Sequence, residues 1–185
     1  MFFFAENNNE LQFKSMCVEH AYLTLLSGEL DVAMQIFELL DSPRARWGRA
    51  LVGILSGYTE IYPSYFEIRN FLEIDLEFLL KNEKIDYVEM ILGALDILID
   101  INQESYKYVA RVMFENKLYK VAREYLEKSK NIFYNDPELH FMFAKYYIKT
   151  REYELADFYL DECLNILPDY YPALCLQKEI SRYLV

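Results

Sequence analysis

Apolar and polar positions follow a helical period along the whole chain. Tyr106, Val109, Ala110 and Met113 fall at i, i+3, i+4 and i+7, with Lys107 and Arg111 between them. After a break at Glu115-Asn116-Lys117 the same spacing returns in Val121, Ala122, Tyr125 and Leu126. Asp136-Pro137-Glu138 reads as a helix start: an N-cap acceptor, a proline in the first turn and a carboxylate on the positive end of the dipole. The pattern predicts ten helices, over 9–27, 29–41, 44–56, 63–82, 84–100, 103–116, 118–134, 137–150, 152–167 and 171–184. Apart from Gly57 to Tyr62, the connections are short enough to force sequential helices antiparallel. No segment calls for a strand, so the predicted fold class is all-α.

A shift of 34 residues lays 103–136 on 137–170. Val109 meets Phe143, Ala110 meets Ala144, Tyr119 meets Tyr153, Ala122 meets Ala156 and Leu126 meets Leu160. Large sites stay large and small sites stay small. Leu72, Leu76, Leu79, Ile85, Val88, Leu92 and Leu95 follow the phase loosely one period earlier. Ala21, Gly28, Leu30, Ala33 and Phe37 show it near the start.

In this respect the chain resembles the tetratricopeptide repeat (TPR) family, whose unit has a small residue on its first helix, an aromatic opening the second, an alanine at the hairpin crossing and a closing proline. Ala144, Tyr147, Tyr153, Ala156, Leu160 and Pro168 match in 137–170, and Ala110, Tyr119 and Ala122 match in 103–136. Residues 14–43, with Ala33, and 44–102 carry degenerate versions, Val88 replacing the crossing alanine. The resemblance implies a right-handed α-solenoid of antiparallel hairpins. On that reading the chain is one domain, with an N-terminal arm at 1–8 and a capping helix at 171–185. The small residues let two backbones approach, and neighbouring hairpins then bury what one hairpin cannot.

Composition narrows the function. Hydrophobic residues make up 54% of the 185, which excludes a disordered chain. A net charge of −11 argues against nucleic-acid binding, which draws on basic side chains. Three cysteines, Cys17, Cys163 and Cys175, form no disulfide framework, and no apolar run is long enough to cross a bilayer. A cytoplasmic protein is expected. Two histidines at unrelated positions, and the lack of any zinc-protease, nucleophile-elbow or phosphate-loop motif, predict no metal, no cofactor and no catalysis. His140 is expected to pack in the core, and the carboxylate pairs Glu73/Glu77 and Asp157/Asp161 to face solvent.

Charge is unevenly spread. Residues 1–102 hold 7 of the 19 basic and 17 of the 30 acidic side chains, leaving 12 and 13 for the rest. In a TPR-like solenoid the first helix of each hairpin lines the concave groove. The corresponding residues are Lys107, Arg111 and Phe114, then Phe141, Lys145, Ile148 and Lys149, then Cys175, Glu179 and Arg182 on the capping helix. Two readings stand: lysines solvating exposed helices, or a groove for a protein or peptide with an acidic segment. Val18, Tyr22, Leu25, Gly48, Val52 and Leu55 make the equivalent N-terminal stripe apolar, to be covered by Met1-Phe2-Phe3-Phe4, a second copy or a partner helix. The expected protein is a non-catalytic interaction adaptor, monomeric or weakly dimeric. The rivals are a secretion-type chaperone shielding an apolar client and a regulatory subunit of an enzyme.

Overall fold

A computed structural model describes residues 17–57 and 62–184, and all regular structure among them is helical. They divide into two compact units between Ile101 and Asn102. The first holds α1 (17–26), α2 (Leu30–Glu38), α3 (Pro43–Leu55), α4 (68–81), α5 (Ile85–Gly93) and α6 (Leu95–Ile101). The second holds α7 (Ser105–Glu115), α8 (Tyr119–Ile132), α9 (Pro137–Thr150), α10 (Tyr153–Ile166) and α11 (Tyr171–Ile180), with a 3-10 turn at Ser181–Tyr183.

One turn geometry recurs at the α1–α2, α4–α5, α7–α8 and α9–α10 hairpins. Each contains one residue in the left-handed region: Gly28 (φ 89°), Glu83 (57°), Lys117 (64°) and Arg151 (64°). The next residue's N–H reaches back five positions: Glu29 to Thr24 (3.2 Å), Lys84 to Leu79 (3.0 Å), Leu118 to Met113 (2.8 Å) and Glu152 to Tyr147 (2.9 Å). These are Schellman closures, which satisfy carbonyls left open at a helix end. Residues 83, 117 and 151 stand one 34-residue period apart, so the repeat reaches into the degenerate region through its turn. The crossing residues Ala33, Ala110, Ala122, Ala144 and Ala156 are fully enclosed, and Val88 occupies the same place in α5.

Two helix starts use the same chemistry. The Ser42 hydroxyl accepts from the Ala45 N–H at 3.1 Å, and Asp136 accepts from the N–H groups of Glu138 (2.9 Å) and Leu139 (3.4 Å). Each is followed by a proline in the first turn, where the missing N–H costs nothing.

The first unit departs from the expected helices in three places. The helix expected over 63–82 starts at Ile68; its approach is a turn closed by Glu67, which accepts from the Ser64 N–H (3.2 Å) and hydroxyl (2.7 Å). Burial would raise the Glu67 pKa, but Ser64 and Arg46 hold it below the usual value. Helix α4 then runs as Ile68–Asn70, a π-helical segment at Phe71–Leu76, and Glu77–Lys81. The helix expected over 84–100 is two, separated at Ala94 (φ −88°, ψ 0°). The 9–16 part of the first expected helix, the N-terminal arm and most of the Gly57–Tyr62 connection lie outside the described residues.

The core of the first unit gathers on Tyr22. Its ring meets Phe37 of α2 edge-on at 5.0 Å and Phe78 of α4 at 5.2 Å. Tyr22, Leu25, Gly48, Val52 and Leu55 of the apolar stripe are buried inside this unit. In the second unit Tyr159 stacks on Phe143 (4.6 Å) and Tyr147 (5.4 Å) within the α9–α10 hairpin. Tyr153 stacks on Tyr183 of the terminal turn at 4.5 Å, and Pro168 stands exposed between α10 and α11. His140 is enclosed, with Nε2 2.8 Å from the Tyr134 carbonyl and Nδ1 unpartnered; burial lowers its pKa, so the ring is held neutral.

Candidate functional site

Helices α7 and α9 lie side by side in the second unit, and most of the residues expected to line a groove fall along them. Lys107 is only 3% exposed. Its ammonium meets Asp136 (2.5 Å), Glu104 (3.1 Å) and Glu138 (3.2 Å). Burial would lower its pKa, but the Asp136 hydrogen bond and the three carboxylate charges outweigh that and raise it, so the group is cationic. Arg111 binds Glu138, and Lys145 binds Glu115 at 3.0 Å while covering the Phe114 ring at 5.0 Å. Phe141, half-buried, packs edge-on against Tyr170 at 5.4 Å, and Ile148 is half-buried on the same helix.

Lys107, Arg111, Phe114, Phe141 and Lys145 are thus in unequal states. Lys107 and Phe114 are interior. Arg111, Phe141, Lys145 and Ile148 remain partly open to solvent. Lys149 and Arg182 are exposed; Arg182 lies 4.9 Å from the Tyr183 ring, and neither is joined to these residues by an ion pair among the described residues. Lys107, Arg111 and Lys145 each have an acidic partner, so their charge is balanced locally rather than presented as a basic strip. The carboxylate pairs noted in the sequence are engaged too: Gln177 donates to Asp157 (3.2 Å) and Asp161 (2.7 Å), while Glu73 and Glu77 pair with Arg69 and Lys81.

The first unit holds a second cluster. Asp75, in the π-helical segment, is completely buried. Its Oδ1 accepts from the Tyr22 hydroxyl at 3.0 Å and lies 2.6 Å from Arg44 Nη1, while Oδ2 has no hydrogen-bond partner. Burial pushes its pKa up to about 6 against the opposing pull of Arg44 and Tyr22. Tyr22 is raised as well, by burial first and then by the Asp75 charge. The Arg44 guanidinium covers the Tyr22 ring at 4.2 Å and faces Trp47 at 5.6 Å. Beside it opens a cavity of about 470 Å³ lined by Val18, Glu19, Tyr22, Leu23, Arg44 and Phe78. The sequence did carry a signal for this cluster: Asp75 stands between Leu72, Leu76 and Leu79 in the apolar phase of α4, where a solvated carboxylate has no place.

Among the described residues no group of three or more His, Cys, Asp or Glu side chains is placed to hold a metal ion, and no helix is long and apolar enough to cross a membrane. The cysteines are unpaired, and burial raises the Cys163 thiol to about 11, leaving it protonated and unreactive.

No protein-family model matches the chain, and no curated protein matches its sequence. Solved structures do match its fold. The C-terminal part of a TPR repeat-containing protein from Cytophaga hutchinsonii aligns over 90% of this chain and 71% of its own, at 15% identity and a TM-score of 0.51. A chain of the APC/C hetero-tetramer Cut9–Hcn1 aligns over 91% of this chain and 42% of its own, at 14% identity and a TM-score of 0.50. The fold is TPR-like.

Proposed function

We propose that the chain is a non-catalytic protein-interaction module, working in a reducing cytoplasm, that holds a peptide or helix of a partner protein against the inward face of α7 and α9. The supporting observation is the set Arg111, Phe141, Lys145 and Ile148, in which partly open charges accompany partly open apolar side chains. Lys145–Glu115 is a solvent-facing pair worth about 0–1 kcal/mol, so an acidic side chain of a partner can replace Glu115 at little cost, while Arg111 stays anchored on the half-buried Glu138 beside it. Phe141 and Ile148 then supply apolar contact. Lys107 serves this reading indirectly, by tying the start of α9 to α7.

A photo-crosslinking residue placed at Phe141 or Ile148 is expected to trap a partner polypeptide in extracts of the native cell. Arg111→Glu with Lys145→Glu should abolish that product. A crosslink that persists in the charge-reversed chain overturns the reading.

A second reading, a chaperone that shields an apolar client segment, draws on Phe66 and Leu39, which are 87% and 85% exposed in the first unit. Phe66→Ser with Leu39→Ser would then lose the ability to keep an apolar client peptide in solution, whereas the charge reversal would not.

A further inference from the structure

We propose that the cleft between α1, α3 and α4 is a separate binding site, for a partner peptide that presents a carboxylate side chain next to a large apolar one, with Arg44 as the carboxylate receptor. It uses residues of the first unit only and stands independently of the α7–α9 reading.

The cleft has the size and lining of a recognition pocket. Its volume of about 470 Å³ falls within the range of roughly 300–1,000 Å³ that ligand sites occupy. Val18, Leu23, Phe78 and the Tyr22 ring make its walls largely apolar, and Leu23 stands 62% exposed at its rim. One cation, Arg44, enters this apolar lining.

Arg44 is fixed in place before any ligand arrives. One guanidinium nitrogen lies 2.6 Å from Asp75, and the guanidinium carbon stands over the Tyr22 ring, 4.2 Å from its centre. With 29% of its side chain still exposed, the planar fork keeps N–H groups free to meet a carboxylate. Little side-chain freedom remains to be lost on binding, which is how preorganisation favours affinity.

Asp75 makes sense in the same terms. A fully enclosed carboxylate with Oδ2 unpartnered is a poor device for stability alone, because burial of an ionised group is costly unless all its acceptors are used. What it does achieve is to immobilise Arg44 at the cleft. The wider π-helical turn is where functional side chains are often re-aimed, and Asp75 sits in one.

Charge selects the ligand further. In the strongly acidic stretch 1–102, helix α3 carries Arg44, Arg46 and Arg49 and no acidic residue, so it is the element that attracts an anion. Arg46 is already bound by Glu67 at 2.9 Å. Glu19, on the cleft lining, disfavours a run of acidic residues. The fitting segment has a single Asp or Glu beside a Phe, Leu or Trp.

The test is selection of random dodecapeptides on the full-length chain, followed by NMR titration of the winning peptide. Enriched sequences should pair one acidic with one large apolar residue. The peptide should shift the Arg44 Nε–H signal together with Val18, Leu23 and Phe78. Replacing its Glu by Gln, or its Asp by Asn, should weaken binding at least tenfold. Arg44→Gln should do the same, and Leu23→Ser, at an exposed position that leaves the core intact, should weaken it several-fold without moving the melting temperature. Enriched peptides without a carboxylate, or equal binding of the amide form, overturn the proposal, as does binding whose shifts fall on α7 and α9. It is also overturned if deleting residues 1–8 alone shifts the Val18, Leu23 and Phe78 signals, since the chain's own apolar N-terminus is then the occupant.

Discussion

The ring of Phe37 on α2 occupies the space that a side chain would need at Gly48 on α3. A Cβ built on Gly48 would come within 2.4 Å of ring carbons Cε1 and Cζ. Phe37 is fully buried and edge-on to Tyr22, so it has nowhere to move. Gly→Ala in a helix ordinarily gains about 0.5–1 kcal/mol from the lost chain entropy. Here the overpacking reverses the sign, and Gly48→Ala is expected to lose about 1–3 kcal/mol in urea denaturation. Adding Phe37→Leu should recover part of that loss. An unchanged midpoint for Gly48→Ala would show that α2 and α3 do not approach this closely.

The repeated hairpin turn gives a test of opposite sign. Lys117 and Arg151 adopt φ 64° where Gly28 adopts 89°. A side chain in that region costs roughly 1–2 kcal/mol, and glycine does not bear the cost. Lys117→Gly and Arg151→Gly should therefore each stabilise the chain by about 1 kcal/mol. Gly28→Ala should destabilise it by a similar amount. Differential scanning calorimetry of the three variants decides the matter, and a loss of stability in Lys117→Gly would contradict the shared turn.

How much of this was readable in the sequence follows from which contacts are local. The hairpin crossings at Ala110, Ala122, Ala144 and Ala156 showed themselves because a 34-residue shift aligns small with small, and small residues are tolerated where two backbones meet. The four turns did not, because Schellman closure depends on backbone angles that Glu83, Lys117 and Arg151 adopt despite being poor glycine substitutes. In the candidate site, periodicity put Lys107, Arg111 and Lys145 on one face; in the structure Lys107 and Arg111 share Glu138, and Lys145 pairs with Glu115. It gave no hint that Asp136, which caps the next hairpin, closes over Lys107, since that contact spans 29 residues. The Arg44–Asp75–Tyr22 cluster joins three helices and rests on a π-helical turn, and helical phase assigned by a period of 3.6 does not foresee such a turn.

Asp75 should leave a signature in the pH dependence of stability. Its carboxyl ionises at about 6 in the folded chain and near 3.9 when unfolded, so folding favours the protonated form. The stability this group contributes is full below about pH 4, declines as pH rises toward 6, and is flat above. The shift corresponds to about 3 kcal/mol. His140 acts in the reverse sense: burial lowers its pKa, so its contribution is present above the unfolded value of about 6.5 and is lost as pH falls. Comparing the native chain with Asp75→Asn cancels the histidine. The stability difference in favour of Asp75→Asn should grow by up to about 3 kcal/mol between pH 4 and 7. Parallel curves would mean that Asp75 is solvated.

Lys107 offers the sharpest stability test, because its ammonium is enclosed and faces three carboxylates. Removing one member of a buried ion pair leaves the other charge unpaired, at a cost of about 3–5 kcal/mol. Lys107→Ala should lose that much and also loosen the start of α9, where Asp136 serves as N-cap and ion-pair partner at once. Lys107→Met keeps the aliphatic stem and should lose less. The Lys107→Met, Asp136→Asn double variant should recover part of the sum of the single losses, giving a coupling in the upper part of the range of about 0.5–3 kcal/mol seen for contacting residues. Because folding raises the lysine's pKa, its contribution is complete below about pH 10.4 and disappears only as pH rises through the folded value. Burial also shields the contact from salt. Additive losses in the double-variant cycle, or a coupling that vanishes at 1 M salt, would place Lys107 at the surface as an ordinary solvated cation.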